Sequence, residues 1–105
     1  SYLYRPLHPA VLRLLAHVAE SAHKNGIPVS MCGEMAGYPD YLPILIGLGI
    51  DELSMAPSSI MEVRRRIRTL SRSSCASFAN HVLSLPDVQE IENALKEFNS
   101  TYGKA

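Results

Sequence analysis

The stretch IPVSMCGEMAGYPDYLPILIGLGIDELSM, residues 27–55, decides the fold of this chain. It opens on an apolar run with β-branched residues directly after Gly26, so Ile27 to Cys32 reads as a short buried strand ending at Cys32. Gly33 to Tyr38 then supplies loop chemistry. From Pro39 onward Tyr41, Leu42, Ile44, Leu45, Ile46 and Leu48 are apolar almost all round, which predicts a short, deeply packed helix with Gly47 and Gly49 as its stop. Glu52 to Met55 is a second brief strand.

Upstream, Pro9 suits a first helical turn, and Val11, Leu14, Leu15, Val18, Ala19 and Ala22 recur at steps of three and four up to Gly26. Downstream, Ser58 or Ser59 can cap a helix from Ile60 to Leu70. The order helix, strand, helix, strand, helix implies parallel pairing through right-handed crossovers, the unit of α/β barrels and doubly wound sheets. Two more helices are expected. One is capped by Ser73 or Ser74 and carries Ala76, Ala79, Val82 and Leu83, and the other is opened by Pro86 and carries Val88, Ile91, Leu95 and Phe98. The chain therefore divides into βα units over residues 1–70 and a C-terminal helical appendage over 71–105. Two parallel strands cannot close a barrel, and their open edges are costly. A fragment, or an intimate oligomer, is expected.

Composition narrows the function classes. The 105 residues carry ten basic and ten acidic side chains, so no global field draws the chain to nucleic acid or an anionic membrane. The apolar stretch from Leu42 to Ile50 is interrupted by Pro43, Gly47 and Gly49 and falls short of the ~20 residues of a membrane helix. No signal peptide is visible in Ser1 to Pro6, and cytoplasmic location is the expectation. Cys32 and Cys75 are distant and in no CxxC spacing, which favours neither zinc, redox chemistry nor a disulfide.

Three stretches carry a specific resemblance: YRPLHPAVLRL (4–14), VSMCGEMAGYP (29–39) and LIGLGIDELSM (45–55). Together they resemble enzyme I of the phosphoenolpyruvate:sugar phosphotransferase system, its nitrogen-related paralogue included, over about residues 1 to 70. The CGEMAG block followed by GLGxDELSM at this spacing is the strong signal. The related pyruvate phosphate dikinases and phosphoenolpyruvate synthases typically have histidine where Met35 stands, which favours enzyme I. Tyr38 departs from the aspartate usual before the proline. The resemblance implies a (β/α)8 TIM barrel, with Val29 to Cys32 as its seventh strand and Glu52 to Met55 as its eighth. It also places Cys32 and Gly33 at the carboxyl end of a strand, where such barrels do their chemistry.

The resemblance implies a transferase that passes the phosphoryl group of phosphoenolpyruvate (PEP) to a histidine of its own, then to a histidine phosphocarrier protein, releasing pyruvate. Mg2+ and cationic groups would stabilise the enolate, and Cys32 would protonate its terminal carbon. A thiol with a pKa of ~8.5 is mostly protonated near pH 7 and suits that role. Read alone, a cysteine at a strand end is a small buried hydrophobe. Gly33 and Gly37 serve equally as turn residues or as places where backbone approaches an anion, Gly33 being the candidate for substrate contact. Glu34 reads as a loop carboxylate in a surface ion pair.

The metal carboxylates and phosphate-binding arginines of the family map before Ser1, and its phosphorylated histidine lies in another domain. This chain alone is thus expected to be inactive, within a parent that forms a homodimer. The alternatives are a non-catalytic self-association or regulatory module of the same fold, or a piece of a PEP synthase or dikinase. His8, His17, His23 and His81 match no metal spacing and read as surface or packing residues. Arg64, Arg65, Arg66 and Arg68 spread around a helix, with Glu62 four residues before Arg66, and lack the aromatic platform of a nucleic-acid site. Met31, Met35, Met55 and Met61 read as packing side chains.

Overall fold

The computed structural model describes residues 6–33 and 35–102. Tyr4 and Arg5 of the first motif, and Glu34 with its expected ion pair, lie outside the described residues. Helix α1 spans Pro9–Lys24, strand β1 Ser30–Cys32, α2 Leu42–Gly47, β2 Glu52–Ser54, α3 Pro57–Ile67, α4 Arg72–Leu83 and α5 Val88–Thr101. Two single turns of 3-10 helix, Met35–Gly37 and Pro39–Tyr41, fill the connection from β1 to α2. The chain is a mostly helical α/β fold with a small two-stranded sheet.

β1 and β2 pair in parallel, with Ser30 opposite Glu52, Met31 opposite Leu53 and Cys32 opposite Ser54. Successive strand residues face opposite sides. Met31 and Leu53 are half-buried against the hydrophobic cluster, while Ser30, Cys32, Glu52 and Ser54 are exposed. The expected buried strand is therefore corrected: β1 is shorter, Ile27 is 56% exposed, and only one face of the sheet is covered.

The core is one cluster fed by α1, α2, α4 and α5. Leu12 of α1, Ile44 and Leu45 of α2, Cys75, Phe78, Ala79 and Val82 of α4, and Ile91, Leu95 and Phe98 of α5 all belong to it. Each fully buried aliphatic side chain contributes about 1.5–3 kcal/mol, so the helices after residue 71 supply much of the packing. α2 is buried at Leu42, Pro43, Ile44 and Leu45, as its all-round apolar sequence requires. Its two glycines divide the work that the sequence assigned to both. Gly49, with φ +91°, makes the left-handed turn after the helix. Gly47 lies within α2, and a Cβ there would sit 2.1 Å from the Cys75 carbonyl oxygen and 2.6 Å from the Ala79 Cβ. It is the crossing point of α2 and α4.

The helix starts also shift from their expected positions. His8 caps α1, its Nδ1 accepting from the Ala10 N–H, and Pro9 opens the first turn. α3 begins three residues before Ile60: Pro57 pre-sets its first turn, and neither Ser58 nor Ser59 is the N-cap, which is Ala56. Ser71 instead of Ser73 or Ser74 caps α4, with its Oγ accepting from the Ser74 N–H at 3.2 Å. Asp87 caps α5 one residue after Pro86 by accepting from the Glu90 N–H.

Candidate functional site

The carboxyl ends of the two parallel strands hold the site. Register puts Cys32 beside Ser54, and parity puts both on the uncovered face of the sheet. The chain leaves β1 through Gly33, whose φ of +101° lies in the region that disfavours side chains, and turns sharply away from the strand. It leaves β2 through Met55 and Ala56 into the first turn of α3. Between these exits lies a cavity of about 590 Å³, lined by Cys32, Gly33, Gly37, Tyr38, Ser54, Met55, Ala56 and Ser59. Gly37 closes one wall tightly: a Cβ there would come 3.2 Å from the Ser59 Oγ and 3.6 Å from the Met55 Cβ. Tyr38 is half-exposed and packs edge-on against Tyr41, ring centroids 5.9 Å apart.

The two cysteines have opposite surroundings. Cys32 is exposed to the cavity, whereas Cys75 is fully buried and burial pushes its thiol pKa up. Cys32 is thus the accessible thiol of the two, open to a small molecule lodged in the cavity. The described lining offers a thiol, two serine hydroxyls and a phenol but no carboxylate, and no group of three His, Cys, Asp or Glu among the described residues is placed to hold a metal. These residues do not fit a Mg2+ site, which needs hard oxygen ligands.

The opposite, amino-terminal end of the sheet is fastened by a group whose parts lie far apart in sequence. Asp51 accepts from the Val29 N–H at 2.8 Å, and its own N–H donates to the Val29 carbonyl at 2.8 Å. His23 Nε2 of α1 lies 2.8 Å from the same Asp51 Oδ2. The Val29 hydrogen bond, and then His23, lower the Asp51 pKa below its ordinary 3.8. Gly49 makes room for this pair, since a Cβ there would meet the His23 ring at 3.0 Å. His23 therefore has a definite partner that residue spacing did not disclose.

Other expectations resolve individually. Arg66 donates to Thr69 Oγ1, Asn99 Oδ1 and the Tyr102 carbonyl, joining α3 to the end of α5. Met35 is buried and Met31 partly so, but Met61 is 68% exposed and does not serve packing. Ser54 and Ser59 were not expected at the site. Pairing the strand ends by register finds Ser54, and no sequence signal finds Ser59. Among the described residues no helix is long and apolar enough to cross a membrane.

The accessible thiol stands at the carboxyl end of a parallel strand of an α/β fold, facing a loop-walled cavity, the place where such folds commonly hold their ligands. Residues 1–72 match the family described as PEP-utilising enzyme, PEP-binding domain. The chain belongs to that family. It is 48% identical over 97 residues to the phosphoenolpyruvate-protein phosphotransferase of Bacillus subtilis (strain 168), covering 92% of this chain and 17% of the relative. Proteins of the same name from Geobacillus stearothermophilus, 45% identical over 96 residues, and Staphylococcus epidermidis, 42% identical over 97, match to a similar extent, covering 91% and 92% of this chain and 17% of each relative. The chain thus spans about one sixth of the length of these relatives, and the similarity runs on past residue 72 into α4 and α5.

Proposed function

We propose that this chain is the carboxyl-terminal part of a PEP-protein phosphotransferase and that Cys32 is its proton donor. The observation that carries this reading is the exposed Cys32 thiol at the end of β1, beside Ser54 and open to the cavity. In the proposed reaction the bridging P–O bond of PEP breaks and the phosphoryl group goes to a histidine nitrogen. The enolate left behind takes the Cys32 proton on its terminal carbon, giving pyruvate and a thiolate that is reprotonated from solvent. Gly33 lets the backbone turn close to the substrate, and Gly37 and Tyr38 wall the cavity beside it.

On this reading residues 1–70 are the last βα units of a (β/α)8 barrel and 71–105 the helices that follow. The parent is a cytoplasmic homodimer that hands its phosphoryl group to a histidine phosphocarrier protein. Mg2+ and the phosphate-binding groups come from the remainder of the parent, so the 105 residues alone do not turn over PEP. In a full-length enzyme carrying this sequence, Cys32→Ala is expected to lower PEP turnover about 10²- to 10⁴-fold, the usual worth of a positioned acid. Unchanged turnover rejects the assignment.

A further inference from the structure

The last helix reaches back to the cysteine loop. Asn99, partly buried on α5, donates from Nδ2 to the main-chain carbonyl of Asp40 at 3.0 Å, while its Oδ1 accepts from Arg66 Nη2 at 2.6 Å. These partners fix the orientation of the amide, because a carbonyl only accepts and a guanidinium only donates. Arg66 is itself held, donating from Nη1 to Thr69 Oγ1 at 2.7 Å and to the Tyr102 carbonyl at 2.8 Å. Asn99 is therefore gripped on one side and fastens the Pro39–Tyr41 turn with the other.

That turn leads directly into the cavity wall. The Tyr41 N–H donates to the Tyr38 carbonyl at 3.1 Å and the Tyr38 N–H to the Met35 carbonyl at 3.3 Å, so the two 3-10 turns are linked through Tyr38. Tyr38 and Gly37 line the cavity on which Cys32 opens. We propose that Asn99 is a positioning residue, which holds the loop over residues 35–41 in register with Cys32 through the Asp40 carbonyl. The helices after residue 71 are then part of the site's support. The catalytic consequence rests on Cys32 acting as the acid, whereas the placement of the loop is measurable without that reading.

Asn99→Asp separates the two hydrogen bonds. It keeps an acceptor for Arg66, so α3 and α5 stay joined, and it replaces the N–H that reached Asp40 by an oxygen that repels the carbonyl. Amide hydrogen exchange of the 105-residue chain is the first readout, with Asn99→Ala as the variant lacking both bonds. In Asn99→Asp the Tyr41 amide is expected to exchange about fivefold faster, the opening expected for one lost hydrogen bond, while the Val82 and Ile91 amides keep their rates. An unchanged Tyr41 rate overturns the proposal, as does equal acceleration at Val82 and Ile91, which makes Asn99 a general stabiliser only. In the full-length enzyme Asn99→Asp is expected to lower kcat/KM for PEP several-fold with Cys32 intact, and no change there overturns the positioning role. If Cys32→Ala proves harmless, the cysteine assignment falls, and the substrate-free exchange rates still decide whether Asn99 holds the loop.

Discussion

Two cysteines in one short chain have separate fates because one ends a strand at an open cavity and the other lies under a helix crossing. Cys32 is exposed and Cys75 has no solvent exposure, with a thiol whose pKa burial raises. Native protein is therefore expected to take up one equivalent of a thiol reagent quickly and the second only on unfolding, and peptide mapping should place the first on Cys32. Rapid native labelling of Cys75 contradicts the buried placement. The sequence disclosed Cys32 through the CGEMAG block, but Ser54 becomes its neighbour only once the strands are paired. Asn99 could not be found in advance, since a side chain reaching a main-chain carbonyl 59 residues away leaves no trace in residue type or periodicity.

α2 and α4 cross tightly, and Gly47 permits it. Backbone and Cβ atoms block the space on the facing helix, so no rotamer change relieves an added methyl group. Gly47→Ala is expected to destabilise the chain by about 2–3 kcal/mol through overpacking, seen as a lower urea midpoint at unchanged m-value. Helix existence and order were legible from periodicity, while helix starts were not. Several serines lie near the start of α4, and only the extended backbone at Ser71 tells the cap from Ser73 and Ser74. The helix stop first read into both Gly47 and Gly49 has the same origin, because a glycine that ends a helix and one that admits a neighbour look alike in sequence.

For the whole molecule, a radius of gyration of 13.1 Å is that of a compact domain of about 100 residues, even though the sheet has only two strands and one of its faces is uncovered. The Asp51 fastening joins α1, β1 and β2 across that compact body, and its pH dependence has a definite sign. A carboxylate with a lowered folded pKa adds stability above its unfolded value near 3.8, and that stability is lost as pH falls through the folded value. The unsubstituted chain should accordingly lose stability faster than Asp51→Asn below about pH 4, the two urea midpoints converging in acid. Equal slopes contradict the fastening. The parallel α/β order was readable because helix and strand patterns alternate through short connections. The shared core was not, since membership in one cluster depends on how α4 and α5 fold back. The sheet also separates its ends by direction: the fastening sits where the strands begin and the cavity where they end. For an engineer this makes the connection after β1 the place to vary the cavity wall without loosening Asp51, provided buried Met35 and Ala36, and Asp40 where the last helix takes hold, are kept.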